Sequence, residues 1–262
     1  MQIDVAGQSV YAYTGSRAPD PSLPTVVFIH GAANDHSVWA LQSRYFAWHD
    51  RNVMAIDLPG HGRSGGAALA TVEAIAGWVI ALLDAAGVAT AALCGHSLGS
   101  LVALECAARH PARVGNIALL GAAVPMTVSD ELLACAKADD HAALELINGW
   151  SFSAKCQLGG NAVPGMWMTG NALRLMERAA PGVLHTDLAA CHAYADGLAA
   201  AAAVRSACLL ILGSRDIMAP PRNAAALIEA LPRHRKVTLP GCGHALMAEA
   251  PDAVLDALRS FL

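Results

Sequence analysis

The chain has few charged residues and no strongly basic segment. Only 15% of its 262 residues are charged, and 17 Lys and Arg against 21 Asp and Glu give a formal net charge of −4. Without a basic run, the sequence lacks the electrostatic footprint of a nucleic-acid or anionic-membrane binder. A hydrophobic fraction of 55% excludes intrinsic disorder on composition. We therefore expect a globular domain with a sizeable core and with neither nucleic acid nor a membrane as its partner.

The sequence also lacks a membrane-spanning run, a recognisable leader and a cysteine framework. Its longest apolar tract, residues 197–204, is alanine-rich and too short to cross a bilayer. Residues 1–5 show no basic region followed by an apolar core. The 7 cysteines are odd in number and form no CxxC pair, which is typical of a reducing compartment. These absences predict a cytoplasmic protein without structural disulfides.

The most informative feature that is present is the sequence Gly-His-Ser-Leu-Gly at residues 95–99. A strand-like apolar run precedes it at residues 91–94, and a helix-like run follows it at residues 100–110. A serine on such a strand-to-helix turn is the nucleophile-elbow pattern, because a sharply turned backbone needs neighbours without bulky side chains. The pattern predicts that Ser97 is a nucleophile.

A nucleophilic serine needs a base, and the base needs an acid to orient it. His244 lies in a glycine-rich loop directly after the last predicted strand, and Asp216 follows the strand before that. Both positions fall at the sheet edge where Ser97 is expected. An acid after the strand ending at Leu120 is the alternative, but the loop of residues 121–124 contains no carboxylate. We therefore predict a Ser97, Asp216, His244 triad.

Acyl transfer further requires an oxyanion hole. One donor is expected at the backbone N–H of Leu98, the residue after the nucleophile. The other is expected in the loop of residues 30–37, which follows a predicted strand. We assign it to the N–H of Ala32, because Gly31 allows a tight turn there, with Ala33 as the neighbouring alternative.

Two other interpretations of polar residues are disfavoured. A metal site at His30, Asp35 and His36 lacks an obvious source for its remaining ligand, and a strand-end loop explains these residues without a metal. Cys242 would need an activating environment to act as a thiolate nucleophile, and Ser97 already has a full set of partners. We therefore expect neither a metal nor an organic cofactor.

Strand-like and helix-like runs alternate along most of the chain. Continuous apolar strands separated by helices predict an α/β fold with a parallel sheet and helices on both faces. The clearest predicted strands are residues 9–14, 25–29, 52–56, 91–94, 115–120, 207–212 and 236–239.

Residues 124–203 interrupt this alternation and contain no convincing strand. Their predicted helices are residues 130–138, 140–150, 171–180 and 185–202. Such an insertion is too long for an ordinary connection, so we predict a helical cap over the carboxyl end of the sheet, where open α/β folds bind ligands. The core is then formed by residues 1–123 and 204–262.

Bulky apolar residues concentrate in this predicted cap. Trp150, Met166 and Trp167 are candidate substrate contacts there, together with Trp39 near the oxyanion loop. As a set they predict a small and largely apolar substrate.

The whole chain resembles the α/β-hydrolase superfamily, in particular its small capped esterases, proline-iminopeptidase-like and lactonase-like proteins. The matching residues are His30-Gly31, Asp57-Leu58-Pro59-Gly60-His61-Gly62-Arg63-Ser64, residues 95–99, Asp216 and Gly243-His244. The order Ser, Asp, His along the chain is that of the superfamily's triad. In that family residues 57–64 correspond to a structural turn, and Ser100 replaces a glycine that many relatives have.

The resemblance implies the α/β-hydrolase fold, with a mostly parallel, eight-stranded sheet, helices on both faces and a helical cap. It further implies a cofactor-free serine hydrolase that acts on a small carboxylic ester or related acyl substrate through an acyl-enzyme, as a monomer or homodimer. A carbon–carbon bond hydrolase or lyase with the same triad is the main alternative. A non-catalytic ligand receptor on this fold is a second alternative. Epoxide hydrolases and dehalogenases of this fold carry an aspartate at the elbow, so Ser97 argues against both.

Overall fold

One eight-stranded sheet positions the rest of the molecule. The computed structural model describes residues 1–160 and 165–262. The strands are β1 (Gln2–Val5), β2 (Gln8–Tyr13), β3 (Thr25–Ile29), β4 (Asn52–Ile56), β5 (Ala91–His96), β6 (Val114–Leu120), β7 (Ala207–Gly213) and β8 (His234–Leu239). They lie in the order β1-β2-β4-β3-β5-β6-β7-β8, where β2 is antiparallel to both of its neighbours and β3 to β8 are parallel to one another. The predicted α/β-hydrolase sheet is therefore confirmed.

The first strand, β1, was not among the strands predicted from the sequence. β1 has only four residues, with Ile3 and Val5 buried and the two polar residues exposed. So short an alternation carries little signal on its own, and it is pairing with β2 that makes it a strand.

Helices cover both faces of the sheet, as predicted. They are α1 (Ala40–Ala47), α2 (Val72–Ala85), α3 (Leu98–Arg109), α4 (Asp130–Lys137), α5 (His141–Ser151), α6 (Ala154–Gln157), α7 (Met168–Met176), α8 (Val183–Ala193), α9 (Gly197–Ala203), α10 (Ala225–Ala230), α11 (Leu246–Glu249) and α12 (Pro251–Arg259). Because side chains alternate along a strand, β3 sends Val27 and Ile29 into the core shared with α2 and α3. Val26 and Phe28 join the opposite core with α1 and α12.

The described residues between β6 and β7 form only helices and loops. Four of these helices share a small core of their own with the oxyanion loop, made of Ala33, Leu132, Ala136, Ala143, Ile147, Met176, Leu184 and Leu188. The expected helix over residues 185–202 is instead two helices, because Tyr194 leaves the helical conformation and directs its hydroxyl to Glu105 of α3. Ala200 and Ala201 of α9 pack in the main core, so α9 belongs to the core layer although it lies within residues 124–203.

The carboxyl ends of the parallel strands meet at one edge of the sheet. The loops after β3, β5, β7 and β8 carry the oxyanion loop, Ser97, Asp216 and His244. Among the described helices, none is both long and apolar enough to cross a membrane.

Candidate active site

Ser97 occupies the sharp turn between β5 and α3. Its backbone has φ 53° and ψ −119°, a conformation that residues with a β-carbon rarely adopt. The turn brings the chain so close to itself that a β-carbon on Gly95 would collide with the carbonyl of Gly99. A β-carbon on Gly99 would collide with the carbonyl of Ile29. The two glycines of the elbow are therefore required by close backbone approach.

His244 and Asp216 form a buried pair. Nδ1 of His244 lies 2.7 Å from Oδ2 of Asp216, and both residues are 4% exposed. The other carboxylate oxygen, Oδ1, accepts the backbone N–H groups of Met218 and Ala219 at 2.9 and 2.8 Å. Burial raises the pKa of Asp216, but the charge and hydrogen bond of His244 and the two backbone N–H groups outweigh it, so the pKa is lowered. Asp216 is thus held as a carboxylate that orients the imidazole.

The second nitrogen of His244 is free to act as a base. When the ring is neutral, its proton lies on Nδ1, which faces the carboxylate, and Nε2 keeps its lone pair. Nε2 is buried and has no hydrogen-bond partner among the described residues. His244 and Ser97 both line one cavity of about 730 Å³ under the predicted cap. The structure therefore brings the three predicted triad residues to a single site.

Hydrogen bonding in the oxyanion loop distinguishes the two candidate donors, the N–H groups of Ala32 and Ala33. The N–H of Ala33 donates to Oδ2 of Asp187 at 2.8 Å and is therefore occupied. Within the described residues, no hydrogen bond engages the N–H of Ala32, and Ala32 lines the cavity. The N–H of Leu98, at the first turn of α3, has no partner within its helix either. This geometry favours Ala32 over Ala33 as the partner of Leu98.

Two buried histidines support the site loops. Nε2 of His96 lies 2.9 Å from the carbonyl oxygen of His244, and burial followed by the nearby His244 lowers the pKa of His96 to about 3. Nδ1 of His30 lies 2.8 Å from the carbonyl of Gly31, and its Nε2 accepts the N–H of Leu58. Burial followed by the charge of His61 lowers the pKa of His30 to about 4. Both rings are neutral, and each fixes a loop of the site.

The cavity is lined mainly by apolar side chains of the helices above the sheet. Trp150 and Met166, two of the candidate substrate contacts, line it, and so do Ile147, Phe152 and Met168. Its polar lining residues were not predicted from the sequence; among them are Asn148, Asn171 and Gln42. Nothing in their local pattern distinguishes them from other polar residues on amphipathic helices.

Two of the four expected substrate contacts lie elsewhere. Trp39 is fully buried, and its ring centroid is 5.1 Å from that of Phe28, in the core between the sheet and α1. Trp167 is 69% exposed, and its ring lies over Gly170 on the outside of α7. Neither is among the cavity-lining residues, so both assignments are corrected. Proximity in sequence to the oxyanion loop and to Met166 did not fix the direction of either side chain.

The polar cluster near the oxyanion loop contains Asp57 in place of His30. Asp35, His36 and Asp57 place potential ligand atoms within 4.8 Å of one another, whereas His30 points to Gly31. Asp57 already accepts the N–H and Nδ1–H of His36, both at 2.7 Å, and the N–H of Arg63 at 2.8 Å. Burial raises the pKa of Asp57, but these bonds outweigh it and lower the pKa. The oxygens of Asp35 and Asp57 thus accept hydrogen bonds from the 30–37 loop and from the 57–64 turn, since Asp35 also accepts the N–H of Ser37 at 2.8 Å.

Cys242 does not have the environment of a nucleophile. Burial, followed by the charge of Glu249, raises the pKa of its thiol to about 12. A thiol with so high a pKa is not ionised near neutral pH, and only the thiolate is strongly nucleophilic.

Comparisons with known proteins agree with this fold. The family model described as the alpha/beta hydrolase fold matches residues 24–251. The chain is 37% identical over 99 residues to the dihydrolipoyllysine-residue acetyltransferase component of an acetoin cleaving system from Pseudomonas putida, covering 37% of this chain and 26% of that protein. It is 33% identical over 96 residues to an (E)-2-((N-methylformamido)methylene)succinate hydrolase from Acinetobacter baylyi, covering 36% of each. These matches thus span only about a quarter and a third of the relatives' lengths.

A solved structure matches over the whole chain. The enol-lactonase from Burkholderia xenovorans LB400 superposes with a TM-score of 0.88 at 25% identity, covering 100% of this chain and 99% of that one. The similarity therefore includes the segment between β6 and β7 as well as the sheet.

Proposed function

The chain belongs to the alpha/beta hydrolase family, and we propose that it hydrolyses a small, largely apolar carboxylic ester or related acyl substrate. One observation carries the proposal. His244 is fixed through Nδ1 by Asp216 at 2.7 Å, its buried Nε2 has no hydrogen-bond partner among the described residues, and His244 lines the cavity that Ser97 also lines. A base held in this way, at the same cavity as a serine on a strained turn, supports acyl transfer.

The proposed reaction has two halves. In the first, Nε2 of His244 takes the proton of Ser97 Oγ as the oxygen attacks the substrate carbonyl, and then gives that proton to the departing alcohol. The N–H groups of Leu98 and Ala32 stabilise the oxyanion. In the second half, His244 takes a proton from water, which attacks the acyl-enzyme and releases the acid. Ser97 recovers its proton, and no redox or cofactor step is needed to balance the reaction.

The cavity supports the substrate class. A volume of about 730 Å³ lies in the usual range for small-molecule sites. Trp150, Phe152 and Met166 supply apolar surface to an acyl or alcohol group, while the polar catalytic groups lie at the sheet edge. Lactone and ester substrates fit the same chemistry because both present a carbonyl and an alkoxide leaving group.

A substrate panel tests this proposal. Purified protein is given p-nitrophenyl esters from acetyl to octanoyl, a series of lactones, and a β-diketone, with Ser97→Ala as the control. We expect ester or lactone turnover by the wild type, none by the variant, and no cleavage of the diketone. Preferential diketone cleavage would favour a carbon–carbon bond hydrolase, and ligand binding without any turnover would favour a receptor; either result overturns the proposal.

A further inference from the structure

We propose that Asp187, which lies in α8 and not in the sheet core, is a positioning residue for the oxyanion loop. The inference rests on the proposed function, because it assigns Asp187 to the oxyanion hole of that same site. It touches no reacting atom in the proposed mechanism. Its effect passes through the backbone of Ala33.

Asp187 is a buried carboxylate with two donors on one oxygen. It is 1% exposed, and its Oδ2 lies 2.8 Å from the backbone nitrogen of Ala33 and 2.8 Å from Nε2 of His61. Ala33 has φ 51°, which a residue with a β-carbon avoids unless its surroundings hold it there. The bond to Asp187 supplies such a restraint.

His61 is the cation that matches this carboxylate. Its Nδ1 lies 3.0 Å from the carbonyl of Pro59, and its Nε2 faces Asp187. Both partners can only accept, so both ring nitrogens must carry protons, which describes an imidazolium. Burial lowers the pKa of His61, but the bond and charge of Asp187 and the bond to Pro59 outweigh it, so the pKa is raised. The pair therefore joins α8 to the 57–64 turn and to the oxyanion loop at one point.

Hydrogen bonds fix both peptide groups on either side of the Ala32 α-carbon. The peptide between Gly31 and Ala32 has its carbonyl held by Nδ1 of His30 at 2.8 Å. The peptide between Ala32 and Ala33 has its N–H held by Asp187 and its carbonyl held by Nδ2 of Asn34 at 3.1 Å. The N–H of Ala32 is the group left without a partner in the described structure. Fixing both peptide planes sets the direction of that N–H, and an oxyanion donor depends on direction.

A second buried hydrogen bond attaches the α8 region to a different part of the molecule, helix α3, and provides a control. The hydroxyl of Tyr194, just after α8, donates to Oε2 of Glu105 in α3 at 2.5 Å. Tyr194 is 4% exposed, so this bond is comparably buried, yet neither residue is hydrogen-bonded to the oxyanion loop in the described structure or lines the cavity. Tyr194→Phe therefore loosens the attachment of the same segment without changing the loop directly.

The experiment compares kcat and KM of wild type, Asp187→Ala and Tyr194→Phe on the best ester of the panel, with circular dichroism to confirm folding. Loss of one whole oxyanion donor costs about 10²–10³-fold in kcat, so a misdirected donor is expected to cost at least about 10-fold. We expect that fall in Asp187→Ala, with KM within about twofold, and an unchanged kcat in Tyr194→Phe.

If Asp187→Ala does not fold, Asp187→Asn tests the same inference, because asparagine has nearly the same shape as aspartate. It can still accept the Ala33 N–H but lacks the charge that matches His61, so a smaller fall in kcat is expected. A folded Asp187 variant with wild-type kcat, or an equal fall in Tyr194→Phe, overturns the inference. An inactive wild type would instead overturn the proposed function, so the two failures are distinguishable.

Discussion

Oδ2 of Asp216 lies 2.7 Å from Nδ1 of His244, and this contact distinguishes Asp216 from Asp57, a second buried carboxylate that follows a parallel strand. Asp57 bonds instead to His36, in the loop that follows β3, and to the backbone of Arg63, in the turn that follows β4. Two carboxylates at one sheet edge thus have different partners, and different consequences follow from neutralising them.

Asp216→Asn is expected to reduce kcat by about 10⁴-fold, because the imidazole loses both its correct tautomer and the charge that stabilises it when protonated. Asp57→Asn should leave kcat within a few-fold and instead lower the free energy of unfolding by about 1–3 kcal/mol, the usual cost of leaving buried hydrogen bonds unsatisfied. Steady-state kinetics and urea unfolding of both variants check this pair. A reversal of the two effects would mean that the acid is assigned to the wrong residue.

Substrate preference is expected to depend on Trp150. Its side chain lines the cavity, so Trp150→Ala enlarges an apolar pocket and should shift the relative kcat/KM of short and long acyl esters by about 1–3 kcal/mol. Trp167→Ala is the matched control, because that ring is 69% exposed and lies outside the cavity lining. Profiles from acetyl to octanoyl esters distinguish the two. Equal profiles in wild type and Trp150→Ala would place selectivity in another part of the cavity.

The buried His61 gives stability a specific pH dependence. Because its pKa in the folded protein is raised above 6.5, its contribution to the free energy of unfolding is fully present below pH 6.5 and is lost as the pH rises through the folded pKa. The stability difference between wild type and His61→Gln should therefore shrink from pH 6 to pH 9. Urea unfolding across that range measures it. His141→Gln, at an exposed ion pair, should show almost no difference at either pH. A His61 difference that grew with pH would show that the folded-state pKa is lowered.

Activity is expected to survive metal removal. The proposed groups for attack, proton transfer and oxyanion binding are all protein groups, and hydrogen bonds account for the cluster of Asp35, His36 and Asp57. Protein treated with a chelator and dialysed should hydrolyse a short p-nitrophenyl ester at the untreated rate. Loss of activity that zinc restores would assign that cluster a metal after all.

Some of the site was predictable because strand ends impose geometry. Parallel strands finish at one edge, so the positions of Ser97, Asp216 and His244 after β5, β7 and β8 were enough to expect them together. The elbow was also predictable, because glycine at positions 95 and 99 indicates a turn in which a β-carbon would collide with nearby backbone. The alternation of strands and helices predicted the parallel sheet, and the resemblance carried by the motifs identified the α/β-hydrolase fold, which is confirmed.

What failed depended on directions and contacts that no local pattern encodes. Trp39 lies two residues before Leu41, which lines the cavity, but its own ring turns into the core. The helix expected over residues 185–202 breaks where Tyr194 reaches Glu105, a contact across 89 residues of sequence. Asp187 accepts the N–H of Ala33, which lies 154 residues away in the sequence. No spacing pattern in its helix marks Asp187 as different from other polar helix residues. Such contacts are created by tertiary packing and cannot be derived from periodicity.

Whether Ser97 forms the covalent intermediate is decided by labelling with a fluorophosphonate, followed by intact-mass measurement and peptide mapping. The probe reacts with a serine that a neighbouring base activates. We expect one adduct per chain, located on the peptide that contains Ser97, and no adduct on Ser97→Ala. An adduct that persists in Ser97→Ala, or that maps to another residue such as Cys242, would contradict Ser97 as the nucleophile.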